Sequence, residues 1–316
     1  MRPMHIRPYL EQAFAPAVVA IRRASRDALG DPNAAMITNG SLAAAGAADS
    51  LSWLHMLLNT KIKGTHNADQ LAGSTPLDVI DILSIHYVMK GAYWRKSLNT
   101  IYDLYVKDGD VDGLWSTEEF GGTSAQISGP FAITLAFRYM DWWSRRDWRE
   151  NKGAMFYWGD WMGRERYPTA FFFQQLMTRL VGSTDLQNRT PGVKAAGSKD
   201  LEAYSFGTRD RPKQRFVAGV FSSEYYIAGN PDLSGSSRVS SLSIPVESER
   251  PYRVLVRVFK PNTVERVYDR TVEPRDGRLK ISLDETLEHI RREALLVTGA
   301  VQPGSFPEVF EKVYTE

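Results

Sequence analysis

The residues best suited to chemistry sit in Trp115-Ser116-Thr117-Glu118-Glu119-Phe120-Gly121-Gly122, where two adjacent carboxylates close the apolar run DGLWSTEEF. If that run is a strand, period-two alternation sends Glu118 and Glu119 to opposite faces, so only one of them points into a mouth built by strand ends. A carboxylate turned inward is costly to bury without partners, so it must be hydrogen-bonded or functional. Alone, the pair reads equally well as two solvated residues. Its neighbours change that reading. The preceding apolar run closes on Ser84-Ile85-His86-Tyr87, and the following one runs Phe156-Tyr157-Trp158-Gly159-Asp160-Trp161. Eight tryptophans and fourteen tyrosines are many for 316 residues, with a cluster between Tyr87 and Phe173. Such aromatics form either a bulky core or a cleft whose flat faces stack on sugar rings while polar tips reach hydroxyls.

Other chemistries find little to work with. There is no Gly-rich phosphate loop and no GxSxG elbow. The absence of cysteine excludes disulfides, thiolate metal sites and cysteine nucleophiles. His55 and His66 lack a third ligand at a recognisable metal spacing. Asp108, Asp110 and Asp112 around Gly109 mimic a calcium loop without its bidentate glutamate, and read as a solvated turn. No cofactor or metal is expected. A net charge of +2, from 39 basic and 37 acidic residues, nominates neither nucleic acid nor an acidic membrane as partner. No stretch is long enough to span a bilayer, and MRPMHIRPYLEQAF has no apolar core of signal-peptide length, which leaves the compartment open.

The elements that must position these residues alternate. Helices are expected over 16–28, 51–59, 93–109, 128–146 and 168–182, and strands over 34–40, 79–87, 112–120 and 153–161, with a loop over 63–77. Strands alternating with helices imply parallel βαβ units, and four such units make half of a (β/α)8 barrel, whose active sites lie at the C-terminal strand ends. From about Thr184 the texture changes to short β-rich runs (RFVAGVFSS, SSLSIP, YRVLVRVF, RVYDRTV, RLKISL), the signature of an antiparallel sandwich. A helical piece, DETLEHIRREA (284–294), is expected to interrupt it. The fold class is therefore α/β plus all-β, with a boundary between 1–183 and 184–316.

Ser-Ile-His-Tyr, then Trp-x-Thr-Glu, then an aromatic strand ending in Trp resembles the closing strands of clan A glycoside hydrolases. The segment 16–40, with Ile21-Arg22, Asp31-Pro32 and Asn39-Gly40, resembles the stretch joining that clan's fourth helix to its fifth strand. The likeness spans about 8–182. It implies the second half of a TIM barrel, a retaining double-displacement hydrolase acting on an oligo- or polysaccharide, and Glu118 as nucleophile. His86, Tyr87, Trp158, Asn39 and Trp161 are then the substrate-binding candidates, with Glu119 turned away. Retaining hydrolysis needs a second carboxyl about 5–5.5 Å from the nucleophile. In the clan it is a glutamate following Asn at the end of the fourth strand, and the fifteen residues before Pro16 contain no Asn-Glu. The expectation is that the first four strands lie elsewhere: in a longer reading frame, in a second chain that completes the barrel, or lost from a remnant. The alternative function is a non-catalytic carbohydrate-binding or interaction protein derived from such an enzyme.

Overall fold

The structure, a computed structural model, describes residues 5–40, 48–64, 67–86, 94–118, 128–146, 154–156, 168–180, 187–208, 211–226 and 234–304. The chain forms two compact units, Met1–Phe120 with Asp147–Trp158, and Gly121–Arg146 with Gly159–Glu316.

The first unit is mixed α/β. A short helix α1 (Ile6–Tyr9) runs through a π-helical turn into α2 (Ala15–Leu29). Pro16, which cannot donate an N–H, lies in the first turn of α2 directly after the π-helical turn. Ala15, Val18 and Val19 form its buried face, and Gly30 ends it in the left-handed conformation (φ 77°) with its N–H on the carbonyl of Arg26. Helix α3 (Ala48–Asn59) follows, and α4 (Trp94–Ile101) continues as a π-helical turn through Val106.

Strands β1 (Ile82–His86), β2 (Gly113–Glu118) and β3 (Ala154–Phe156) pair in parallel and in chain order. A parallel bridge from Thr38 to Ile82 adds the residue-38 segment beside β1. The strand expected over 34–40 is thus a single bridge. Side chains complete the neighbouring rungs: the Asp81 carboxylate accepts the Ile37 N–H (2.8 Å) beside a backbone bond from the Asp81 N–H to the Ile37 carbonyl (2.9 Å), and the Asn39 carboxamide bonds Ser84. Within 63–77, expected to be loop, two 3-10 turns form, Asp69–Leu71 and one starting at Pro76, the latter closed by a Thr75–Asp78 capping box.

The second unit is β-rich. Sheet β10-β7-β4 comprises Arg278–Glu288, Ser236–Pro245 and Lys194–Gly197. Sheet β5-β6-β11-β8-β9 comprises Leu201–Gly207, Arg215–Ser222, Ala294–Val301, Tyr252–Phe259 and Val264–Val272. All pairings in both are antiparallel. Phe216, Val256 and Val297 from the larger sheet and Leu242, Ile281 and Leu287 from the smaller share one core, which makes the pair a sandwich.

Helices α5 (Ser128–Trp143) and α6 (Pro168–Leu180) belong to this unit and cover the outer face of the larger sheet. Phe137 packs on Phe206 and over Gly219, Phe172 stacks on Phe259, and Arg138 forms a bidentate pair with Glu202 (2.9 and 2.5 Å). That cover explains why β6 is buried almost throughout and β11 entirely, where a sheet with one wet face would alternate. Sequence texture separates these helices from the sandwich; apolar packing joins them to it.

The helix expected over 284–294 is absent. Residues through Glu288 extend β10 against β7, a turn covers 289–292, and Ala294 opens β11. Arg292 sits at φ 50° in that turn with its guanidinium 4.8 Å from the Phe131 ring centre. Good intrinsic helix formers such as Glu, Leu and Arg yield here to tertiary pairing.

Candidate functional site at the parallel strand ends

In the first unit, three neighbouring strand ends bring together Asn39, His86 and the backbone at Glu118. Along β1 the side chains Ile82, Leu83, Ser84 and Ile85 are all buried, and the strand opens to half-burial at His86. The apolar run therefore acts as the wall that carries the imidazole to the rim.

The pairing of β1 with β2 is regular from Ile82↔Gly113 to Ile85↔Ser116 and then shifts: His86 pairs with Glu118. Thr117 is the extra residue of a bulge. In unbroken register His86 would lie beside Thr117. The bulge brings the Glu118 backbone opposite His86. Bulges of this kind re-aim a strand end and concentrate next to active sites. Simple alternation, the basis for separating Glu118 from Glu119 in the sequence, contains no signal for it.

Asn39 is 1% exposed. Its Nδ2 donates to the carbonyls of Gly40 (2.8 Å) and Ser84 (3.1 Å), and its Oδ1 accepts the Ser84 N–H at 2.6 Å. Tyr9 Oη donates to the Asn39 carbonyl at 2.7 Å, and burial raises the phenol's pKa. Gly40 (φ 68°) accommodates that hydroxyl, because any Cβ there would collide with it. The other residues named from the sequence, Tyr87, Trp158, Trp161 and Glu119, lie outside the described residues. Among the described residues no group of three or more His, Asp or Glu side chains is placed to hold a metal ion, and no helix is long and apolar enough to cross a membrane.

A second polar cluster, which the sequence did not reveal, ties the sandwich together at one end. Asp200 Oδ2 accepts from the hydroxyls of Ser222, on β6, and Ser237 (2.5 Å), on β7. Ser237 Oγ lies 2.6 Å from His289 Nε2, which is itself 3.5 Å from Asp200 Oδ2. Despite its Ser-His-Asp composition this is no nucleophile. Ser237 is fully buried, and its one proton goes to Asp200 instead of toward a histidine oriented by the carboxylate. Burial alone pushes the Asp200 carboxyl up. The two hydroxyls, its own backbone N–H and nearby His289 outweigh burial and hold it below its ordinary value.

No family model matches the chain, and no curated protein matches it significantly. Among solved structures it is similar to the family 32 CBM from C. perfringens NanJ in complex with galactose, at 10% identity over 37% of this chain and 89% of that one, with a TM-score of 0.21. A superposition that loose decides neither the fold nor the ligand of this chain.

Proposed function

We propose that the strand ends of the first unit form a glycan site of the retaining-glycosidase type, with Glu118 as nucleophile and His86 beside it. The parallel, in-order strands support reading this unit as part of a (β/α)8 barrel, in which strand C-termini carry the chemistry. One observation carries the reading: the bulged register that sets His86 opposite Glu118 at those ends. In double displacement a carboxylate attacks the anomeric carbon and a second carboxyl protonates the leaving oxygen. The nucleophile must stay ionised, and an adjacent imidazole N–H or phenol O–H favours that form. His86 and Tyr87 are the candidates for that role.

The test is an activated 2-fluoro-glycoside, offered to the whole chain in gluco, galacto, manno and xylo forms. Its good leaving group bypasses the acid, whose contribution is typically ~10²–10⁴-fold. Intact mass should rise by one glycosyl unit, and peptide mapping should find the label on Glu118. A label on Glu119 or elsewhere overturns the assignment.

A second reading, glycan binding without turnover, keeps the strand-end site and drops the chemistry. Saturable glycan binding with no label under any condition selects this reading over the first.

A further inference from the structure

We infer that Asn39 is the positioning residue of this site: its buried carboxamide supplies the last rung between the residue-38 segment and β1, and so fixes the strand end that carries His86 to Glu118. The inference deepens the strand-end reading above and rests on it for its functional meaning.

The residue-38 segment is joined to β1 by three rungs. The Asp81 carboxylate takes the Ile37 N–H at 2.8 Å, Thr38 bridges Ile82, and Asn39 takes both the N–H and the carbonyl of Ser84. The third rung matters most, because on the opposite side of β1 the pairing with β2 breaks between Ile85 and His86. A strand entering a bulge loses regular rungs on that side. Asn39 holds the other side at Ser84, two residues before His86.

The proton inventory excludes direct ligand contact through the amide N–H groups. Asn has two Nδ2 protons, and both go to carbonyls, of Gly40 and of Ser84. Asn39 therefore acts through β1. It is held in turn by Tyr9, whose hydroxyl donates to the Asn39 carbonyl at 2.7 Å. The line of restraint runs Tyr9, Asn39, Ser84, His86, from the first helix to the rim.

The test uses the full chain with its five histidines isotope-labelled, and reads ring-nitrogen resonances by NMR. His86→Gln assigns the His86 signals, and His55, on α3 of the same unit, is the internal control. Asn39→Asp keeps an acceptor for the Ser84 N–H but sets its second oxygen against the Gly40 and Ser84 carbonyls. It should move the His86 signals by more than a linewidth at a temperature where the chain is folded, with His55 unmoved. Tyr9→Phe retains the carboxamide and removes only its outer restraint, so it should give a smaller shift of the same kind even if Asn39→Asp does not fold. Unmoved His86 signals in a folded Asn39→Asp chain overturn the inference, as does a common shift of all the histidines. If Asn39→Asp fails to fold, unmoved His86 signals in Tyr9→Phe overturn it. No sugar enters this experiment. A His86 shift in a chain that binds no glycan keeps the positioning role and discards the glycan reading.

Discussion

His86 and Glu118 are register partners only because Thr117 is skipped. Three residues of β1 earlier, Leu83 meets Leu114 in ordinary parallel register. The irregularity is one residue wide and falls at the rim of the sheet.

Deleting Thr117 should therefore restore regular pairing, with Glu118 directly after Ser116 and still opposite His86 but without the re-aiming that the bulge gives the strand end. In a chain that labels with the fluoro-glycoside, the deletion should abolish labelling at Glu118 while far-UV dichroism and melting stay close to the parent. Retained labelling at Glu118 would show that the bulge does not position it.

Packing on the outer face of the larger sheet gives a sharper test. A Cβ on Gly219 would stand 2.7 Å from the Phe137 ring, which is fully buried and has little room to move. Overpacking of this kind costs about 1–3 kcal/mol. Gly219→Ala should lower stability by that amount in urea, and Phe137→Leu in the same chain should recover part of it. Additive losses in the double mutant would disprove the contact.

The Asp200 cluster makes stability depend on pH with a defined sign. Its folded-state pKa lies below the unfolded value of about 3.9, so its contribution is complete above that value and disappears as pH falls through the lower folded one. Asp269 acts in the same direction, held down first by its bonds to Arg253. Asp200→Asn should cost about 1.5–3 kcal/mol at pH 7, in the range of a hydrogen bond to a charged group. It should also flatten the acid limb of stability against pH. An unchanged slope between pH 5 and 2 would remove Asp200 from the account.

Among the described residues, the residue-38 segment has β1 on one side and β3 has β2 on one side. Strand edges recruit further strands. If a second chain completes this sheet, sedimentation velocity should show concentration-dependent association. A single monomer boundary across the whole range would end that proposal.

The parallel units were legible in the sequence because helical periodicity and continuous apolar strands are local signals. α2, α3, α5 and α6 fall within a few residues of their expected bounds, and β1 and β2 end at His86 and Glu118. What escaped is non-local. The bulge at Thr117 depends on two strands meeting, the bonding of Asn39 depends on Ser84 forty-five residues away, and the run ending in Glu288 is a strand only because β7 lies beside it. The expectation that Asn39 contacts substrate rests only on the resemblance of segment 16–40 to a known family. The full set of backbone bonds that Asn39 makes is visible only in three dimensions.

The order in which the chain visits its two units restricts how the molecule can be dissected. It passes from the first to the second after Phe120, returns at Asp147 and leaves again after Trp158. No single scissile bond separates the units. A fragment beginning at residue 184 would lack both covering helices, leaving Phe259, Phe221 and Leu296, each buried in the intact chain, on a bare greasy surface. The sandwich is modular in appearance only; as a piece of polypeptide it depends on a segment that precedes it to cover its outer face.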